Sequence, residues 1–152
     1  MINIVIDKSG SMNTLGKPAV IQLIIRELQL TDGITCNFYL WGESVKPLSS
    51  SEGSLNISFS GKSSIPILLN FLRENNDACL LLTDGFCNED KSNLTAFLRD
   101  NSSSKLRIVL VGADSRVVNG KLFFPENLIA TDQKKFIFSS LEVYTAIESF
   151  NF

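Results

Sequence analysis

Three short stretches, Ile2 to Ile6, Ala78 to Leu82 and Leu106 to Val111, are apolar at nearly every position. A strand with one wet face alternates apolar and polar residues, so runs with little alternation mark strands covered on both sides, the habit of parallel sheets. Helical patterns separate them. Ala19, Ile21, Leu23, Ile24, Leu28 and Leu30 fall largely at helical spacing, and Pro18 suits a first turn, which predicts a helix from about Lys17 to Leu30 that Gly33 ends. Further helices are expected over Ile65 to Arg73, near Lys91 to Asp100, and over Leu141 to Phe150. Thr35 to Trp41 has strand composition, Lys135 to Phe138 is expected as the last strand, and Val45 to Leu48 as an antiparallel edge strand, where Pro47 costs no needed donor. Strands alternating with helices predict a three-layer, doubly wound α/β fold of Rossmann-like type, with a mostly parallel sheet and one antiparallel edge strand.

Two segments depart from that rhythm. Ser49 to Ser60 is serine-rich and reads as a loop with a brief extended piece, Leu55 to Phe59. Asn119-Gly120 is a two-residue hairpin signal between Val117-Val118 and Lys121 to Phe124, so a small ribbon is expected there.

At 152 residues, 44% of them hydrophobic, the chain suffices for one well-buried domain over 1–152 and is short for two. Lys and Arg number 14 against 16 Asp and Glu, and a net charge of -2 supplies no field to draw nucleic acid or an anionic membrane. No apolar run approaches the ~20 residues that span a bilayer, and no basic leader with a cleavage site precedes the first strand, so cytoplasmic residence is expected. Cys36, Cys79 and Cys87 are odd in number and lack C-x-x-C spacing, which argues for reduced thiols and against a disulfide scaffold or zinc site. There is no histidine, which removes the commonest general base and any histidine-based triad or metal cage.

The chemistry-bearing residues follow the apolar runs. Asp7-Lys8-Ser9-Gly10-Ser11 begins where the first run stops, offering one carboxylate and two hydroxyls from alternate positions of a tight loop. Oxygen ligands that are mostly neutral suit magnesium or manganese. Gly10 is expected at positive φ, folding Ser9 and Ser11 back over Asp7. Thr83-Asp84-Gly85 follows the second run and sets another carboxylate at a strand end. Open α/β sheets bind ligands at the carboxyl ends of their strands, where strand order reverses, so both acids can meet at one rim. The plainer alternatives are that Asp7 caps the following helix, that Ser9 and Ser11 are turn formers, and that Thr83-Asp84-Gly85 is an ordinary turn.

With these pieces in order, nearly the whole chain resembles the von Willebrand factor type A domain and its metal-ion-dependent adhesion site, built from D-x-S-x-S, a later threonine and T-D-G. The threonine position falls in Gly61-Lys62-Ser63-Ser64-Ile65, with Ser63 in place and Ser64 a close competitor. Serine keeps the hydroxyl but lacks the methyl that restricts rotamers, and both serines can instead cap the helix that follows. The resemblance implies Mg²⁺ or Mn²⁺ ligated by Asp7, Ser9, Ser11, Ser63 and Asp84, the acids binding directly or through water. It also implies an open coordination position that accepts an Asp or Glu of a protein partner. Small bacterial proteins of this type, including those associated with tellurite resistance, are similar, and imply a scaffold rather than an enzyme. Two other readings exist. A haloacid-dehalogenase-type phosphatase also starts with an aspartate after its first strand, but needs a second acid where Ser9 stands, and its later lysine is not recognisable. A metal-free structural relative would keep the loop without binding an ion.

Overall fold

The computed structural model describes residues 1–14, 16–48, 57–85, 92–100, 105–112 and 136–150. Its strands are β1 (Ile2–Asp7), β2 (Cys36–Trp41), β3 (Val45–Pro47), β4 (Ala78–Thr83), β5 (Leu106–Leu110) and β6 (Ile137–Ser139). Its helices are α1 (Lys17–Leu30), α2 (Ile65–Glu74), α3 (Ser92–Asp100) and α4 (Val143–Glu148), with single 3₁₀ turns over Gly10–Asn13 and Ser140–Glu142. The strands form one sheet in the order β3-β2-β1-β4-β5-β6, parallel throughout except where β3 runs antiparallel to β2. The chain moves outward from β1 to β2 and β3, then returns to β1's other side with β4. That reversal puts the switch point between β1 and β4, the place where an open α/β sheet leaves a crevice.

The near-continuous apolar runs are explained by the layers. Ile4 and Ile6 of β1 and Leu80 and Leu82 of β4 pack with Ile21, Ile25 and Leu28 of α1 and with Ala146 of α4. Their neighbours Val5, Cys79 and Leu81 face the other way, against Leu68, Leu69 and Leu72 of α2 and Phe97 of α3. Every position of β1 is buried, so a polar residue there needs a reason. In β5 the exception is Arg107, whose guanidinium lies between the rings of Phe136 and Phe150, 4.9 and 4.6 Å from their centres, and bonds the Ser149 hydroxyl at 2.7 Å. Its stem spans an apolar layer while its head fastens the end of α4 to the sheet.

The last helix is shorter than its sequence pattern. A 3₁₀ turn occupies Ser140–Glu142 because Ser139 and Glu142 form a reciprocal capping box, the Glu142 carboxylate accepting from the Ser139 amide at 3.0 Å, and α4 starts only at Val143. Cys36 is half-buried and Cys79 fully buried, both are free, and burial pushes both thiols above their ordinary range, which disfavours the reactive thiolate. Among the described residues no helix is long and apolar enough to cross a membrane. The expected hairpin at 117–124 and Cys87 lie outside the described residues.

Candidate metal centre

β1 and β4 run side by side in the same direction, Ile6 opposite Leu82, so Asp7 and the Thr83-Asp84 pair emerge at the same rim. Both acids are buried, Asp7 1% and Asp84 0% exposed. Asp7 is the hub. Its Oδ1 accepts from the Ser9 amide at 2.9 Å and from the Ser63 hydroxyl at 2.6 Å, and its Oδ2 from the Thr83 hydroxyl at 2.7 Å. Ser9 and Ser11 set their hydroxyl oxygens 3.1 Å apart. Of the five residues expected from the sequence, Asp7, Ser9, Ser11 and Ser63 are joined by hydrogen bonds, and Asp84, at the same rim, reaches them through the Lys17 ammonium.

Ser63 rather than Ser64 faces the acid. Ser64 is the N-cap of α2 by its backbone only, with no side-chain bond, while its carbonyl takes the Trp41 indole at 2.7 Å and the Leu68 amide at 3.1 Å. Ser64, expected to cap α2 through its hydroxyl, does so through its backbone. The Ser63 hydroxyl instead donates to the Asp7 carboxyl, and a hydrogen bond to an ionised acceptor is stronger than one between neutral groups.

Gly10 also differs from expectation, since the positive-φ glycines at this rim are Gly16, Gly61 and Gly85, at 76°, 76° and 81°. The D-x-S-x-S loop closes through a right-handed 3₁₀ turn, Met12 amide to Ser9 carbonyl at 3.0 Å, which needs no left-handed residue. The left-handed bend moves to Gly61, whose carbonyl receives the Gly10 amide at 3.0 Å and leads the chain toward Ser63.

Two further residues belong to the cluster. Thr83, in sequence only the first letter of T-D-G, is through its hydroxyl the Oδ2 partner of Asp7 and also accepts the Gly85 amide at 3.2 Å. Lys17, 1% exposed, sends its ammonium 2.9 Å from Asp84 Oδ2 and 3.0 Å from the Ser11 carbonyl. The signal for Lys17 was its position: a cation at the first residue of a helix opposes the positive end of the helix dipole and needs a compensating acid.

Burial pushes the Asp7 carboxyl above its ordinary range, opposed in part by hydrogen bonds from the Ser63 hydroxyl, the Ser9 amide, and the Thr83 and Ser9 hydroxyls. A carboxyl raised in the folded state binds its proton more readily folded than unfolded, so in metal-free protein the ionised form costs stability at neutral pH. That cost is relieved as pH falls through the raised folded value toward the unfolded one. In EDTA, wild type is therefore expected to gain stability relative to Asp7→Asn, measured by urea unfolding, as pH is lowered from neutral to the ordinary carboxylate range, about 4. A difference that stays constant down to that range would show that the hydrogen bonds offset the cost of burial.

The residues present fit a hard divalent ion. Two oxygens at right angles around Mg²⁺, each about 2.1 Å from it, are about 3.0 Å apart, and the Ser9 and Ser11 hydroxyls already stand 3.1 Å apart. The other donors are oxygens of Ser63, Thr83 and two carboxylates, one of which is shared with Lys17.

No protein-family model matches this sequence. No curated protein matches it either. Solved structures do. An aerotolerance-related membrane protein from Bacteroides fragilis is 15% identical with a TM-score of 0.65, over 98% of this chain and 96% of that one. A von Willebrand factor type A protein from Catenulispora acidiphila is 14% identical with a TM-score of 0.54, over 99% of this chain and 41% of that one. Proximal thread matrix protein 1 from the mussel byssus, in a form whose metal-ion-dependent adhesion motif is occupied by zinc, is 16% identical with a TM-score of 0.55, over 98% of this chain. This chain spans only 44% of that mussel protein's length. Together with the strand order, these likenesses assign the von Willebrand factor type A fold.

Proposed function

We propose that this chain is a protein-binding module in which Asp7, Ser9, Ser11, Ser63 and Asp84 hold Mg²⁺ or Mn²⁺, and a partner's Asp or Glu completes the ion's shell. The observation that carries this reading is the meeting of two sequence-distant acids with three serine hydroxyls at the β1–β4 switch point. When bound, the ion supplies a concentrated positive charge that attracts an outside carboxylate. Asp7 anchors the set, Ser63 and Thr83 hold its two oxygens in place, and the 3₁₀ turn keeps Ser9 and Ser11 side by side. The zinc-bearing mussel protein supports metal use at a rim of this kind, and the all-oxygen donor set favours a harder ion here. Beside the rim lies a cleft of about 380 Å³ lined by Lys8, Lys46 and Lys62 with one acid, Glu43, a surplus of positive charge that suits an acidic segment.

Binding rather than turnover is the economical reading. The phosphatase alternative lacks its second acid, because Ser9 stands there. A scaffold role in the bacterial cytoplasm, of the kind implied by the tellurite-resistance-associated relatives, belongs to the same proposal.

Calorimetric titration of Mn²⁺ or Mg²⁺ is the test. Wild type is expected to bind one ion, and Asp7→Ala to lose at least about 10–100-fold in affinity, the range found even for residues one layer behind a metal. A glutamate-rich peptide is expected to be retained with Mg²⁺ and released by EDTA. Equal heats for the two proteins would remove Asp7 as a ligand.

A further inference from the structure

We propose that Lys17 is the resident cation of this rim: its ammonium holds Asp84 in the metal-free protein, and a divalent ion must take that acid from it. Lys17 thereby sets how weakly the site holds metal. The competitor's identity rests on the proposed function, whereas the lysine's place does not.

Lys17 and Asp84 are 1% and 0% exposed and 2.9 Å apart, so each offsets part of the cost of burying the other's charge. The same ammonium donates to the Ser11 carbonyl at 3.0 Å, on the residue whose hydroxyl stands beside that of Ser9. The lysine head thus sits against two members of the candidate ligand set. Its backbone is fixed as the first residue of α1, behind Gly16 at φ 76°, so the ammonium is delivered by a short tether and cannot diffuse away. A lysine at that position faces the unfavourable end of the α1 dipole, and the Asp84 carboxylate 2.9 Å away opposes that penalty.

The charges of the three groups give the direction. Asp7, Asp84 and Lys17 together carry one net negative charge. An incoming divalent ion meets one acid already shared and one ammonium that repels it, and a neutral residue at 17 removes both that repulsion and this claim on Asp84. Competition of this kind lowers metal affinity without altering any ligand.

The experiment titrates Mn²⁺ into wild type, Lys17→Met, Lys17→Gln and Lys17→Arg, with folding checked by circular dichroism and unfolding followed in EDTA and in Mn²⁺. Methionine keeps the length and bulk of the stem without charge, glutamine guards against a methionine variant that does not fold, and arginine keeps the charge. The expected result is Mn²⁺ affinity at least about tenfold tighter in the neutral variants, since one competitor has been removed from one of two acids. Arginine should show no such gain. The neutral variants should also be less stable than wild type in EDTA and recover in Mn²⁺, a pattern that lost packing alone does not produce. If wild type fails to bind while a neutral variant binds, the proposal stands and metal use by the natural chain falls. If wild type binds and the neutral variants bind equally or more weakly, the proposal is overturned and the metal reading survives. An equal gain in Lys17→Arg overturns it in favour of packing, and absence of binding in all folded variants overturns both.

Discussion

Asp84→Ala is expected to lower the stability of the metal-free protein by about 3–5 kcal/mol, the cost of taking one partner from a buried ion pair. The size follows from burial: Lys17 and Asp84 are 1% and 0% exposed, so the solvent screening that makes surface pairs nearly worthless does not operate. Removing the acid leaves a buried ammonium without the carboxylate that stood 2.9 Å away. The double variant Lys17→Met/Asp84→Ala should recover much of the loss, because neither charge then needs compensation, and the departure from additivity measures the coupling directly. Urea unfolding in EDTA provides the four values. A loss below about 1 kcal/mol in Asp84→Ala would show that other groups hold the ammonium as well as Asp84 does, and would remove the pair from the protein's electrostatic balance.

What the residues announced and what they concealed differ by physical type. β1, β4 and β5 were legible because strands covered on both faces cannot hide their apolar runs, and α1 was legible end to end because its apolar stripe, Pro18 and Gly33 agree. The pairing of Asp7 with Asp84 across the sequence was legible because parallel strands put equivalent loops at one edge. Lys17 was not. A binary pattern treats a lysine at a helix start as solvated, and only its conflict with the helix dipole hints at a buried acid nearby. Gly10 does not take the positive φ expected of it because a tight loop does not require a left-handed bend: a 3₁₀ turn brings Ser9 and Ser11 together and leaves the left-handed residue to Gly61. The choice between Ser63 and Ser64 turned on which hydroxyl reaches the buried carboxylate, a question of three-dimensional aim that spacing leaves open.

Leu82→Ala tests how far the rim depends on the layer beneath it, and a loss of about 2–5 kcal/mol is expected from the missing transfer energy and the cavity left behind. Leu82 is 0% exposed, lies opposite Ile6 in β1 and Val109 in β5, and is the residue immediately before Thr83. Strands on both sides leave little room for collapse into the space, which places the expected cost away from the low end of that range. Leu23→Ala, on the exposed side of α1 at 59%, removes the same atoms and should change stability by no more than about 0.5 kcal/mol. Mn²⁺ affinity per folded molecule should nonetheless stay within a few-fold of wild type in Leu82→Ala. The Thr83 and Ser63 hydroxyls hold Asp7 by their own bonds of 2.7 and 2.6 Å, so the ligand set does not rely on close packing one residue below. Urea unfolding and calorimetry on the same samples separate the two effects. A large fall in affinity with stability preserved would instead mean that the β1–β4 register, and not the hydroxyl bonds, keeps Asp7 aligned with Thr83.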